Sequence, residues 1–111
     1  MSSEQGIRKY ILVLQWPATS EADFDALISM EDDLLQSDLL DAYGVVDGHD
    51  FGAREMNIFI QTDRPLEAFQ HAMTSLSTDP RWASVRAAYR PAGEERYVVV
   101  WPKALEVFSV S

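Results

Sequence analysis

The 111-residue chain contains no cysteine, which excludes disulfides, thiolate metal centres and cysteine nucleophiles. It also lacks a long hydrophobic run, since Tyr10–Leu14 spans only five residues, too few for a signal-peptide core or a membrane span. Glycine and proline number five each and form no linker or repeat, while 47% of residues are hydrophobic. We therefore expect a single globular domain over residues 1–111 in the cytoplasm, with residues 1–7 as a flexible tail.

Basic residues are scarce, with 9 Lys plus Arg against 18 Asp plus Glu and a net charge of −9. The imbalance is local, because residues 21–50 hold ten acids and no base, whereas the other 81 residues hold eight acids and nine bases. Such a field repels phosphate groups, on which most nucleic-acid affinity depends. The composition therefore argues against nucleic-acid partners and against binding to an anionic membrane.

Hydrophobic periodicity predicts two helices among several strands. Ser20 and Asp23 form an N-terminal capping pattern before a helix over Glu21–Gln36. Asp63 and Pro65 open a second helix with an apolar stripe at Leu66, Phe69, Met73 and Leu76, and Asp79-Pro80 ends it. Strands are predicted at Tyr10–Trp16, Tyr43–Asp47, Met56–Gln61, Val85–Arg90 and Arg96–Trp101, with a turn over Gly48–Gly52 and a short edge piece at Leu105–Val110.

This order, β-α-β-β-α-β followed by an extra C-terminal strand, resembles the ferredoxin-like α+β superfold over nearly the whole chain. The resemblance implies an antiparallel sheet with two helices on one face, and no particular activity. The run Asp47–Gly52 followed by Met56–Ile60 is also similar to a pattern in small bacterial proteins of unassigned function. That similarity assigns no catalytic role to these positions.

Both sides of the first and last predicted strands are apolar, so the sheet face away from the helices should need a cover. An apolar patch on that face usually marks an interface, and two-fold homodimers are the commonest oligomers. We predict a homodimer that uses the aromatic residues of the sheet, namely Tyr10, Trp16, Phe59, Tyr97 and Trp101. The alternative is that the C-terminal segment covers the face within one chain.

The densest polar cluster lies at the predicted hairpin and contains Asp47, His49, Asp50 and Glu55. One imidazole with carboxylates would suit an acid–base pair or a divalent metal, which makes these four residues the catalytic candidates. The spacing matches no recognised zinc or calcium motif, and the alternative is ordinary turn chemistry by Gly48, Gly52 and the aspartates. We expect no metal and no cofactor.

The acidic run of the first helix and the residues after it form the other candidate site. Its members are Glu31, Asp32, Asp33, Asp38 and Asp41. They would serve as a docking surface for a basic protein, because complementary charge accelerates association. The alternative is a solvated helix face without a partner. Of the two functions, the sequence favours a non-enzymatic binding module over a small enzyme or ligand-binding protein.

Overall fold

Five antiparallel strands and two helices make up the computed structural model, which describes residues 9–36, 43–52 and 54–110. This confirms the predicted α+β class. The elements are β1 Tyr10–Pro17, α1 Glu21–Leu35, β2 Gly44–Gly52, β3 Glu55–Thr62, α2 Pro65–Leu76, a 3₁₀ turn Pro80–Ser84, β4 Arg86–Pro91 and β5 Val98–Trp101. Within those residues, no helix has the length and apolarity needed to cross a membrane.

The strands are arranged in the order β2-β3-β1-β4-β5. The first strand pairs antiparallel with β3 on one side and with β4 on the other. β1 and β2, the strands joined by α1, are therefore separated by β3, which is the split βαβ arrangement of a ferredoxin-like sheet. The extra strand, β5, extends the sheet beyond β4.

The main core lies between the sheet and both helices. Alternate residues of β1 and β3, such as Leu12, Leu14 and Ile58, are fully buried against Leu27 of α1 and Ala72 of α2. Because side chains alternate along a strand, the residues between them point to the opposite side. We call that opposite side of the sheet the open face.

The first helix begins as its capping pattern predicts. The Ser20 hydroxyl accepts a hydrogen bond from the backbone N–H of Asp23 at 3.1 Å. The Asp23 carboxylate accepts one from the Thr19 N–H at 2.9 Å and pairs with Arg81 at 2.6 Å. The Thr19 backbone bond and the Arg81 guanidinium together hold the pKa of Asp23 well below its usual range. This carboxylate therefore joins the start of α1 to the 3₁₀ turn before β4.

The second helix buries a stripe that matches the predicted one only in part. Its buried residues are Ala68, Phe69, Ala72 and Leu76, whereas Leu66 is 54% exposed. Phe69 and Leu76 are therefore buried as predicted, whereas the prediction is wrong for Leu66, and Met73 is only half-buried. Two alanines allow the helix to approach the sheet closely, and periodicity of large side chains does not detect them.

The hairpin also differs from its predicted form. Residues 48–52, predicted as a turn, belong to β2, which pairs with β3 as far as Gly52↔Glu55. The next strand begins at Glu55, and Arg54 just before it adopts a positive φ of 68°. Gly48 instead allows a β-bulge, because the pairing register shifts between Val46 and Gly48 and Gly48 has a φ of 119°.

The C-terminal segment, which we define as Leu105–Val110, forms no strand. The predicted edge piece is therefore wrong, and the segment instead lies across the open face. There Phe108 packs with Val13 of β1 and Ala88 of β4. The alternative prediction was that this segment covers the open face within one chain. It is correct in part, because the segment covers Val13 and Ala88.

Candidate functional site

A polar cluster is buried on the open face at the middle of the sheet. Gln15 of β1 and Asn57 of β3 are directly paired across the strands and are 1% and 0% exposed. The Gln15 side-chain nitrogen lies 2.9 Å from the Asn57 carbonyl oxygen and 3.0 Å from a carboxylate oxygen of Glu55. We call Gln15, Glu55 and Asn57 the open-face polar cluster.

Charge in this cluster is compensated from two directions. The Asn57 amide donates to Glu55 at 3.5 Å, and the Arg86 guanidinium of β4 lies 3.8 Å from the other carboxylate oxygen. An amide hydrogen bond together with an ion pair makes a partly buried carboxylate tolerable. The cluster can therefore present amide hydrogens to an acceptor without leaving its own carboxylate unpaired.

One such acceptor is already in place. The Gln15 amide nitrogen also lies 2.9 Å from the backbone carbonyl oxygen of Ser109 in the C-terminal segment. The C-terminal segment is thus held on the open face by one of its backbone carbonyls. The neighbouring residue, Phe108, supplies the matching apolar contact.

An apolar cluster surrounds the Phe108 ring beside the polar cluster. The ring is 9% exposed, and its centroid lies 5.0 Å from that of Tyr97, the residue just before β5. A groove of about 660 Å³ runs alongside, lined by residues of the β4–β5 turn and of the C-terminal segment. Several apolar side chains packed against this cluster are only partly buried, namely Ile11, Phe59, Tyr97, Val99, Leu105 and Val110.

The predicted hairpin site does not assemble, because its members lie on opposite sides of the sheet. His49 opposes Ile58 and faces the helices, where its Nδ1 lies 2.8 Å from a carboxylate oxygen of Glu31. Asp50 opposes Asn57 and therefore faces the open side together with Glu55. The bulge at Gly48 and the alternation of β2 separate the imidazole from these carboxylates.

Asp47, the fourth hairpin candidate, is exposed beside the bulge. Across the part of the chain that the structure describes, no group of three or more His, Asp or Glu side chains is placed to hold a metal ion. The hairpin residue that does enter a polar cluster is Glu55, with partners that the sequence did not indicate.

The acidic candidates are divided between interior and surface. Glu31 is 7% exposed and paired with His49, so it does not belong to a solvent-facing surface. Asp32 and Asp33 are exposed, as expected. Asp38 and Asp41 lie outside the described residues. Glu31 therefore does not fit the predicted acidic docking surface, because His49 on β2 offers it a hydrogen-bonding partner within the fold.

The five aromatic residues assigned to a dimer face do not share one face. Trp16 is buried in the main core, and Tyr10 packs edge-on against Tyr89. Phe59 and Tyr97 lie on the open face.

Trp101 lies on the helix side, where it stacks on Phe69 of α2, because the register of β4 and β5 shifts at Ala87. The assignment therefore needs correction to Phe59 and Tyr97.

Sequence reasoning missed Gln15, Arg86, Phe108 and Ser109. The available signal was Gln15 itself, a long polar residue inside the apolar run of β1, matched by Asn57 inside the apolar run of β3. Polar residues within such runs are expected to find hydrogen-bonding partners. Ser109 could not be named as that partner, since it lies 94 positions from Gln15.

Comparison with known proteins finds no family model, no curated protein and no solved structure that matches this chain. The site therefore has to be interpreted from its own geometry.

Proposed function

We propose that this protein is a small non-enzymatic binding module that forms a homodimer through its open sheet face. The observation that carries the proposal is the incomplete cover of that face. The C-terminal segment buries Val13, Ala88 and the Phe108 ring, but it leaves Phe59 and Tyr97 partly exposed. Apolar surface left in contact with water on one face of a sheet commonly marks an interface.

The distribution of charge favours this face for contact between two copies. The exposed acids of α1, which are Glu21, Asp25, Asp32 and Asp33, lie in the helix layer on the other side of the sheet. Two copies that meet through their open faces keep these carboxylates on the outside, where water and salt screen them. Contact through the helix layers would bring the like charges together.

The homodimer is tested by sedimentation of the wild type and of Phe59→Ser at micromolar concentration. The wild type should sediment at twice the 12.5 kDa of one chain, and Phe59→Ser should shift towards the monomer. Leu66→Ser is the matched control, because this leucine is 54% exposed in the helix layer. Tyr97→Ser provides a second open-face variant, with folding of each variant checked by circular dichroism. A wild-type monomer would reject the proposal.

A basic protein is the second proposed partner, docking on the exposed acids of α1 together with the predicted Asp38 and Asp41. The helix contains six acids and no base, and four of its acids are exposed. Charge reversal by Asp32→Lys with Asp33→Lys should abolish capture of a basic protein from a host lysate. Glu94→Lys with Glu95→Lys, on the exposed β4–β5 turn, is the matched control. Equal capture by both variants would reject this surface.

The alternative function, a small enzyme or ligand-binding protein built on the hairpin, gains less support. It would require His49 to act without Asp50 and Glu55, which face the other side of the sheet. The similarity of Asp47–Gly52 and Met56–Ile60 to small bacterial proteins likewise stays a prediction.

A further inference from the structure

We propose that the C-terminal segment is exchanged between two copies of the chain, so that Phe108 and Ser109 of each copy occupy the open face of the other. This inference rests on the proposed homodimer and names the contact that forms it. The seat for the exchanged segment consists of the open-face polar cluster and the apolar cluster around Val13 and Ala88.

The segment is attached to its own sheet by side-chain contacts and not by strand pairing. Within the described part of the chain, its backbone makes one hydrogen bond to another backbone group, from Leu105 N–H to the Pro102 carbonyl at 3.0 Å. That bond belongs to the turn after β5. The remaining attachment is the Ser109 carbonyl, the Phe108 ring and the partly buried side chains of Leu105 and Val110. None of these is a strand-pairing contact, so release of the segment leaves the strand ladder intact.

The seat on the sheet does not depend on the segment for its own hydrogen bonds. A side-chain amide nitrogen carries two hydrogens, and that of Gln15 has three acceptors within 3.0 Å. When the Ser109 carbonyl leaves, Asn57 and Glu55 can still accept both hydrogens. The buried amide is therefore not left unpaired, which removes the usual obstacle to opening a buried polar site.

A second copy offers the same seat to the same segment. Exchange restores every contact of Phe108 and Ser109 and changes only the path of the chain after β5, which is why domain swapping is a low-cost route to dimers. It also brings the two open faces together while the acids of α1 stay outside. The incomplete cover of Phe59 and Tyr97 in one chain would then be completed by the other.

The exchange is tested by crosslinking two introduced cysteines, Arg86→Cys and Ser109→Cys, in a chain that has no others. Arg86 is paired with Gln15 across β1 and β4, and Gln15 bonds to Ser109, so both positions lie close to the same side chain. A short bis-maleimide should link them between chains and double the mass on a denaturing gel. Arg90→Cys with Ser109→Cys, two residues that line one groove, is a second pair.

The control pair is Ser29→Cys with Asp32→Cys, exposed one turn apart on α1, which should link within one chain. Exchange is supported if the protein sediments as a dimer and the crosslink between positions 86 and 109 joins two chains. A dimer whose link stays within one chain overturns the exchange and leaves the proposed homodimer standing. A protein that sediments as a monomer overturns both.

Discussion

Asp23 shows how one carboxylate can make stability depend on pH. Its pKa is lowered in the folded chain by the Thr19 N–H and by Arg81. The unfolded chain therefore binds the proton more readily, and this contribution to stability is present above an unfolded pKa of about 4 and is lost as the pH falls below it.

We expect Asp23→Asn to be less stable than the wild type at neutral pH, with a difference that shrinks as the solution is acidified below about pH 4. Urea midpoints at a series of pH values measure this. Asp25→Asn, an exposed neighbour on the same helix, is the control and should show little difference at any pH. A constant gap between wild type and Asp23→Asn would contradict the assigned cause.

Glu31 was predicted on an acidic surface, and the structure instead buries it in a pair with His49. Its carboxylate lies 2.8 Å from His49 Nδ1, and this contact connects α1 to β2. Glu31→Ala should cost about 1–2 kcal/mol of unfolding free energy, around the lower end of the range for hydrogen bonds to charged groups, because the imidazole is partly exposed. Glu31→Gln, which keeps an acceptor oxygen, should cost less.

The control is Asp32→Ala on the exposed side of the same turn, which should change stability by no more than about 0.5 kcal/mol. Chemical denaturation followed by circular dichroism gives both values. If Glu31→Ala and Asp32→Ala behave alike, the pair with His49 contributes nothing measurable.

At the scale of elements, the bulge in β2 decides which way the hairpin residues point. Gly48 has a φ of 119° with no atom within 4 Å of where a Cβ would stand. The cost of Gly48→Ala is therefore backbone strain and not a clash, and we expect a loss of about 1–2 kcal/mol. Asp47→Ala, an exposed neighbour, is the control in the same denaturation experiment. Unchanged stability of Gly48→Ala would show that the bulge tolerates a side chain.

The elements themselves were largely predictable. The cap at Ser20 and Asp23 placed the start of α1 correctly, and its end came within one residue of Leu35. The hairpin was harder, because Gly48 and Gly52 are typical turn residues in a sequence and here lie inside a strand. Pairing with β3 over-rode that local preference. The 3₁₀ turn at Pro80–Ser84 was not predicted at all.

At the scale of the whole molecule, the net charge of −9 should oppose association of two copies. Raising the salt concentration from about 0.01 M to about 0.1 M shortens the Debye length from about 30 Å to about 10 Å and weakens that repulsion. We therefore expect the proposed homodimer to tighten as salt is added, whereas docking of a basic protein on α1 should weaken.

Sedimentation equilibrium at the two salt concentrations measures the first effect. Asp32→Asn with Asp33→Asn serves as the comparison, because removing two exposed acids should reduce the salt dependence of self-association. A dimer that dissociates on adding salt would instead indicate an interface held by opposite charges.

The sequence by itself determined the class of fold, since helix caps and hydrophobic periods are local features that short segments express wherever they lie. It also showed that both sides of the first and last strands are apolar. Only the tertiary structure decided which side the helices cover, because alternation distinguishes two faces without assigning either to the core. The pairing of Gln15 with Ser109, and of Glu31 with His49, likewise depends on strands and segments brought together over long sequence separations, which no local pattern encodes.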